Sequence, residues 1–260
     1  MSTRKPFLVI GHLYPDLMNL YGDRGNIICL VQRCRWRGIE VEVRSIGLGE
    51  PLPTDCDLVF MGGGQDKEQR TVAQDLREVK GEALRREVEK GLVALTVCGG
   101  YQLFARYYRP MEGPDLEGLG IFDAWTVHRG GAWRRCIGNV LVEWNGHTLV
   151  GFENHGGRTY LGPDAKPLGR VLLGYGNNAE DKGEGAVYRN IYGTYLHGSF
   201  LPKNPRFADH LLWLALQRKW PGMELPALDD SLEMRAHRTA IQRVRRRASL
   251  EGRLQAWLWG

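Results

Sequence analysis

Long apolar runs are missing from this 260-residue chain: none approaches the ~18 residues that a membrane-crossing helix needs. Cysteine is scarce, with five residues in no close pairs, which argues against a disulfide framework and for a reducing, cytoplasmic setting. The phosphate-cradling pattern G-x-x-x-x-G-K-[ST] occurs nowhere, so nucleotide-phosphate chemistry is not expected of this chain. Internal repeats and low-complexity segments are absent. Residues 1–6 run straight into the strand-like Phe7-Leu8-Val9-Ile10, and no secretory signal is read there. A large basic surplus is also lacking. Asp229 to Gly260 holds seven arginines against four acids, so the preceding body carries only +2 of the net +5. That balance gives little reason to expect nucleic-acid binding.

What is present is strand and helix in alternation. Phe7 to Leu13 reads as a first strand, and the loop "YPDLMNLYGDRGN" leads to a helix over Ile27 to Trp36 that Gly38 ends. "EVEVRSI" (40–46) alternates as a strand with one buried face does, and "CDLVFM" (56–61) and "LVALTV" (92–97) read as buried strands. A helix is expected from about Thr71 to Lys90. The order predicts an α/β fold with a mostly parallel sheet and helices on both faces. After Gly118, short strands separated by glycine read as continued sheet closing on the same core. A helix over Arg206 to Trp220, the linker "PGMELPALDD" and a helical tail from Ser231 to Trp259 follow.

Cys98, in "ALTVCGGYQLF", sits on a sharp turn from strand to helix. In doubly wound sheets, ligands bind beyond the carboxyl ends of the strands. Gly99 and Gly100 suit a turn that folds tightly and admits a substrate carbonyl, and a following helix favours thiolate. Cys98 is therefore either a nucleophile or a packed thiol. A thiolate performing acyl transfer needs a base. His197 ends the apolar "YGTYLHG" and is the first choice, with His155 in "GFENHGG" the second. His12, His147, His210 and His237 read as structural. The Gly62-Gly63-Gly64 run after the 56–61 strand is either half of an oxyanion hole, partnered by the Gly99 N–H, or a turn needing positive φ.

In this order "VCGGYQ" and "GTYLHG" resemble the nucleophile and histidine segments of class I glutamine amidotransferases of the cobyric-acid-synthase type. "NLYGDRGNI", "GGGQDKEQ", "GFENHGGRTYLG", "GYGNN" and "GTYLHGSFLPKN" are similar, from about Phe7 to Asn204, to the small glutaminase subunits of lipid II isoglutaminyl synthases. The resemblance implies a flavodoxin-like class I amidotransferase domain over 6–204 and a C-terminal helical extension over 205–260. It implies that Cys98 attacks the carboxamide of free L-glutamine and that N–H groups near Gly63 and Gly99 hold the oxyanion. His197 then protonates departing ammonia. The ammonia passes to a Mur-ligase-like partner of the MurT type, forming a heterodimer. The partner uses ATP and Mg to amidate the D-glutamate α-carboxylate of lipid II. No cofactor or metal is implied for this chain, which reaches the inner membrane surface through its partner.

The chain departs from the class pattern at Ser199, where ordinary class I enzymes carry the glutamate that orients the histidine. Glu153 or, preferentially, a carboxylate of the partner is expected to replace it. The substrate α-carboxylate calls for arginine. Arg129, Arg134, Arg135 and Arg158 lie in suitable loops, and the resemblance favours Arg135 over Arg134. Gln102, on the first turn after Cys98, is expected to line the pocket. The arginine-rich tail reads as a solvated helix whose Leu232, Ile241, Val244, Leu250, Leu254 and Trp257 side docks on this chain or its partner. Attraction to anionic lipid is the alternative. Two other functions fit the same residues: a stand-alone thiol hydrolase of γ-glutamyl or peptide bonds, and a scaffold subunit without catalysis.

Overall fold

The structure, a computed structural model, describes residues 5–132, 134–197 and 199–259, with the side chains of 250–259 left aside. Short apolar runs form the centre. Strands β1 (Phe7–Leu13), β2 (Glu40–Ile46), β3 (Leu58–Met61) and β4 (Val93–Val97) join a late hairpin, β13 (Ala186–Tyr188) and β14 (Ile191–Thr194). They make a six-stranded sheet ordered β13-β14-β4-β3-β1-β2. Every pairing is parallel except β13 with β14. Strands β3, β4 and β14 are buried at every position, as continuous apolar strands covered on both faces must be. Strand β2 departs from its predicted half-buried face. It is the sheet edge, and only Ile46 of its seven residues is buried. Its charged residues, Glu40, Glu42 and Arg44, deter pairing with another chain.

Of the strands after Gly118, all read as continuing this sheet, only β13 and β14 do so among the described residues; the others do not. Strand β14 occupies the place beside β4 and β13 closes that edge, so the strands between must pair among themselves. β5 (Tyr107–Arg109), β6 (Leu116–Glu117), β7 (Ala124–Val127) and β10 (Arg158–Leu161) form one small sheet. β8 (Cys136–Trp144), β9 (His147–His155), β11 (Gly169–Leu173) and β12 (Gly183–Glu184) form another.

Among the described residues, six α-helices complete the fold: α1 (Arg24–Trp36), α2 (Asp66–Asp75), α3 (Gly81–Glu89), α4 (Gly99–Phe104), α5 (Pro205–Lys219) and α6 (Ser231–Trp259). The single helix expected from about Thr71 starts earlier and is interrupted by a π-helical turn at Leu76–Lys80. Helix α5, which opens the segment read as an extension, buries Phe207, Leu211, Leu212, Ala215 and Leu216 in the main core. Helix α6 docks Ile241 and Val244 on Leu141, Val150 and Leu173 of the second small sheet. Leu232, expected on that docking side, is 64% exposed, while Leu250, Leu254 and Trp257 lie outside the described side chains.

One buried cation ties three helices together. Arg33 of α1 is 1% exposed and binds Asp209 of α5 through Nε at 2.6 Å and Nη2 at 2.7 Å. Its Nη1 meets Asp230, just before α6, at 2.8 Å. Removing one partner from a buried pair leaves charge that is neither hydrated nor compensated. Arg33→Ala is therefore expected to lower unfolding free energy by about 3 kcal/mol, read from the urea midpoint. A loss under about 1 kcal/mol would mean the network is idle.

Candidate active site

Parallel strands place their carboxyl ends on one edge, and the loops that meet at the site leave that edge after β1, β3, β4 and β14. Cys98 follows β4 directly and precedes α4, with φ 50° and ψ −105°. A non-glycine residue at such angles costs on the order of 1–3 kcal/mol and persists only where its surroundings over-determine it. The surroundings do so by close approach. A Cβ on Gly99 would lie 2.6 Å from Gln69 Nε2, and one on Gly100 would lie 2.8 Å from Met61 O. The 62–64 run is explained likewise. None of its glycines has positive φ, but a Cβ would lie 2.4 Å from Met18 O at Gly62 and 2.3 Å from Met18 Sδ at Gly64. At Gly63 it would lie 3.0 Å from His197 Cε1. The positive-φ reading of this turn is thus replaced by close packing.

His197 lies three residues beyond β14 and is fully buried. Its main chain pairs with Phe152 of β9, N–H to O at 2.7 Å, which stitches the histidine loop to the second small sheet. The ring Nδ1 is 3.3 Å from Asp23 Oδ1, and the edge of Tyr21 packs on the ring at 4.9 Å. Nε2 has no hydrogen-bond partner among the described residues. Burial works against an imidazolium here. The charge of Cys98 and the hydrogen bond that the ring donates to Asp23 outweigh it and push the pKa up to about 10.

Asp23 went unassigned in the sequence. It sits in "NLYGDRGNI", in the loop after β1, and the usable signal was that this loop leaves the same sheet edge as Cys98. The acid beside His197 thus comes from this chain. Glu153 is not placed to serve, because it accepts the N–H groups of Tyr175 and Gly176, each at 2.8 Å. Burial lifts its pKa to about 7. Ser199 donates to Gly22 O at 3.1 Å, one residue before Asp23, and a Cβ on Gly25 would strike its Oγ. The space a glutamate would need at 199 is taken by the Asp23 loop.

Asp23 also alters the expected oxyanion hole. Its Oδ2 accepts the Gly63 N–H at 2.8 Å, so that donor is already committed. Gly64 lines the cleft, and its N–H meets no acceptor among the described residues. The Gly99 N–H opens α4, where no intrahelical acceptor exists.

The cleft has a volume of about 680 Å³, and Cys98, Gln102 and Arg135 all line it. Gln102 is buried and its Nε2 donates to Tyr195 OH at 3.1 Å, which fixes the amide. Arg135 holds Asn154 through Nε at 2.6 Å, and Asn154 in turn donates to Tyr21 OH at 2.7 Å. Arg129, Arg134 and Arg158 are not among the lining residues. Arg158 is turned inward to Cys136 and to Arg134 O. His155, the second candidate base, lines the cleft but stacks on Tyr195 at 3.6 Å and bonds Gly157 O at 2.8 Å. Burial holds its pKa down at about 3, so it is a poor proton acceptor. Of the histidines read as structural, His210 bonds Tyr192 and His237 bonds Thr148.

A strained cysteine and a buried histidine thus meet at the carboxyl edge of a parallel sheet on a class I amidotransferase-like fold. PurLQS from Thermotoga maritima superposes with a TM-score of 0.55 at 18% identity, over 82% of this chain and 99% of that one. The chain belongs to the CobB/CobQ-like glutamine amidotransferase domain family, whose model matches residues 9–205. It is 44% identical to the GatD subunit of lipid II isoglutaminyl synthase (glutamine-hydrolyzing) of Staphylococcus aureus (strain N315), over 92% of this chain and 97% of that protein. The Streptococcus pneumoniae (strain ATCC BAA-255 / R6) subunit of the same name is 41% identical, over 86% and 87%.

The charge of Cys98 is the largest contribution that raises the His197 pKa. Imidazole NMR is expected to show His197 still protonated at pH 8 and titrating near pH 10. Cys98→Ala moves that midpoint downward. A midpoint that ignores the substitution would show that the sulfur does not act on the ring.

Proposed function

We propose that the chain is the glutaminase subunit of a lipid II isoglutaminyl synthase. The carrying observation is His197, buried between the Asp23 carboxylate and Cys98, which lines a cleft that would hold free glutamine. The Cys98 thiolate attacks the side-chain carboxamide carbon, and the Gly64 and Gly99 N–H groups receive the oxyanion. The imidazolium of His197 gives its proton to nitrogen as the C–N bond breaks, so ammonia leaves and a γ-glutamyl thioester remains. His197, now neutral, takes a proton from water. The hydroxide displaces sulfur and glutamate departs. Arg135 pairs with the substrate α-carboxylate, and Gln102 lines the floor.

Ammonia then passes to a Mur-ligase-like subunit of the MurT type, which supplies the ATP and Mg chemistry and amidates the D-glutamate α-carboxylate of lipid II. No helix of the described residues is long and apolar enough to cross a membrane. The protein works in the cytoplasm and meets the inner membrane surface through that partner. The identity of this chain to two subunits that bear the GatD name, over most of their length, supports the reading. Asp23 orients His197 in this scheme, in place of a partner's carboxylate.

Glutamate release from glutamine, assayed on the chain alone and with its partner, tests the proposal. Cys98→Ala is expected to lower the rate by at least about 10³-fold. A variant that still releases glutamate removes Cys98 as nucleophile. Activity that does not rise with the partner favours the stand-alone hydrolase, and none in either sample favours the scaffold. Asp23→Asn is expected to cost on the order of 10²-fold or more in kcat in the complex. Full activity of that variant would hand the orienting role to the partner.

A further inference from the structure

We infer that Asp66 forms the subsite for the α-ammonium group of the amino-acid substrate, an assignment that rests on the glutaminase reading above. Free glutamine is a zwitterion. Besides the carboxamide that meets Cys98, it brings a carboxylate and an ammonium that both lose water on entering the cleft, and each needs an opposite charge there. Arg135 answers the carboxylate. Among the residues lining the cleft, Asp66 is the one carboxylate.

Its placement follows from the chain. Asp66 is the first residue of α2 and stands two positions after Gly64, on the turn that packs against Cys98 and Gly99. The Tyr108 hydroxyl donates to Asp66 Oδ1 at 3.1 Å, while Oδ2 meets no donor among the described residues. Burial, and then the Asp66 charge, pushes the Tyr108 hydroxyl pKa upward, so it stays a donor at neutral pH. Gln65, not Asp66, holds the cap position of α2, and the Asp66 carboxylate accepts from Tyr108.

His128 places the two charges relative to one another. It lines the cleft, its Nδ1 accepts the Gly130 N–H at 3.1 Å, and burial lowers its pKa. Asp66 pulls that pKa up and Arg135 pushes it down, so both charges act on one uncharged ring. His155, the other imidazole of the cleft, is held neutral by burial. The pocket therefore sets an anion and a guanidinium around neutral walls, which matches an α-amino acid head group. Lys67, the neighbour of Asp66, adds a cation on the same wall, where an α-ammonium alone would not call for one.

The test compares L-glutamine with 4-carbamoylbutanoate, which has the same carboxamide and carboxylate but no α-amino group, using the subunit with its partner. Wild type is expected to prefer glutamine. Asp66→Asn should raise KM for glutamine roughly 10- to 100-fold, the range for one hydrogen bond to a charged group. It should leave kcat within about twofold and leave KM for 4-carbamoylbutanoate unchanged. Asp66→Glu should recover part of the loss. Equal weakening of both substrates, or an unchanged glutamine KM, would overturn the subsite while leaving the glutaminase reading intact. Wild type that releases no ammonia from glutamine would remove that reading and the subsite with it.

Discussion

Asp23 accepts from two groups that sequence holds far apart, the Gly63 N–H at 2.8 Å and His197 Nδ1 at 3.3 Å, inside a region closed to water. Each partner depends on the other through this carboxylate. The Gly63 bond sets the turn after β3, and that turn leaves the Gly64 N–H toward the cleft. The His197 contact sets the ring that faces Cys98. A carboxylate without water must find donors on both oxygens, so the loop after β1 is drawn against the loops after β3 and β14. Tyr21 and Ser199 hold that loop from either side, one by its ring against His197 and one by its hydroxyl on Gly22 O.

Strain and packing supply the second constraint. Cys98 keeps a positive φ because the residues around it have no room to relax: Gly99 and Gly100 lie against Gln69, Met61 and the 62–64 turn with no space for a side chain. The apolar strands behind them are buried throughout, and a close-packed core transmits that rigidity to the reactive turn. The resulting cleft separates its histidines by environment. The charge of Cys98 and the hydrogen bond to Asp23 push the His197 pKa up to about 10 against its burial, whereas burial holds that of His155 down at about 3. Two imidazoles at similar depth thus take opposite charge states, and only one can shuttle a proton at neutral pH.

Much of this was legible in the residues. The alternation of apolar strands with helices gave the parallel sheet, since continuous apolar runs need cover on both faces. The sharp turns at Cys98 and at Gly62 to Gly64 and the histidine after β14 were visible as local patterns, because a turn that must admit another backbone excludes side chains. Of the strands after Gly118, the hairpin β13–β14 was placed rightly on the main sheet and the others were misplaced. Which strand closes a sheet is decided by competition among all of them, and β14 fills the place beside β4 that local pattern left open. The edge position of β2 was hidden for the same reason.

By itself, then, the sequence determined the class of fold and the sharp turn at Cys98, and it singled out His197 at a strand end, each written in a short stretch whose neighbours carry its meaning. Tertiary structure alone decided which acid meets that histidine and which glycine N–H remains free. Those choices depend on residues 174 and 40 positions from Asp23 in the chain. Hydrogen-bond competition across such separations leaves no periodic trace, because it is settled only when the loops from one sheet edge fold against each other.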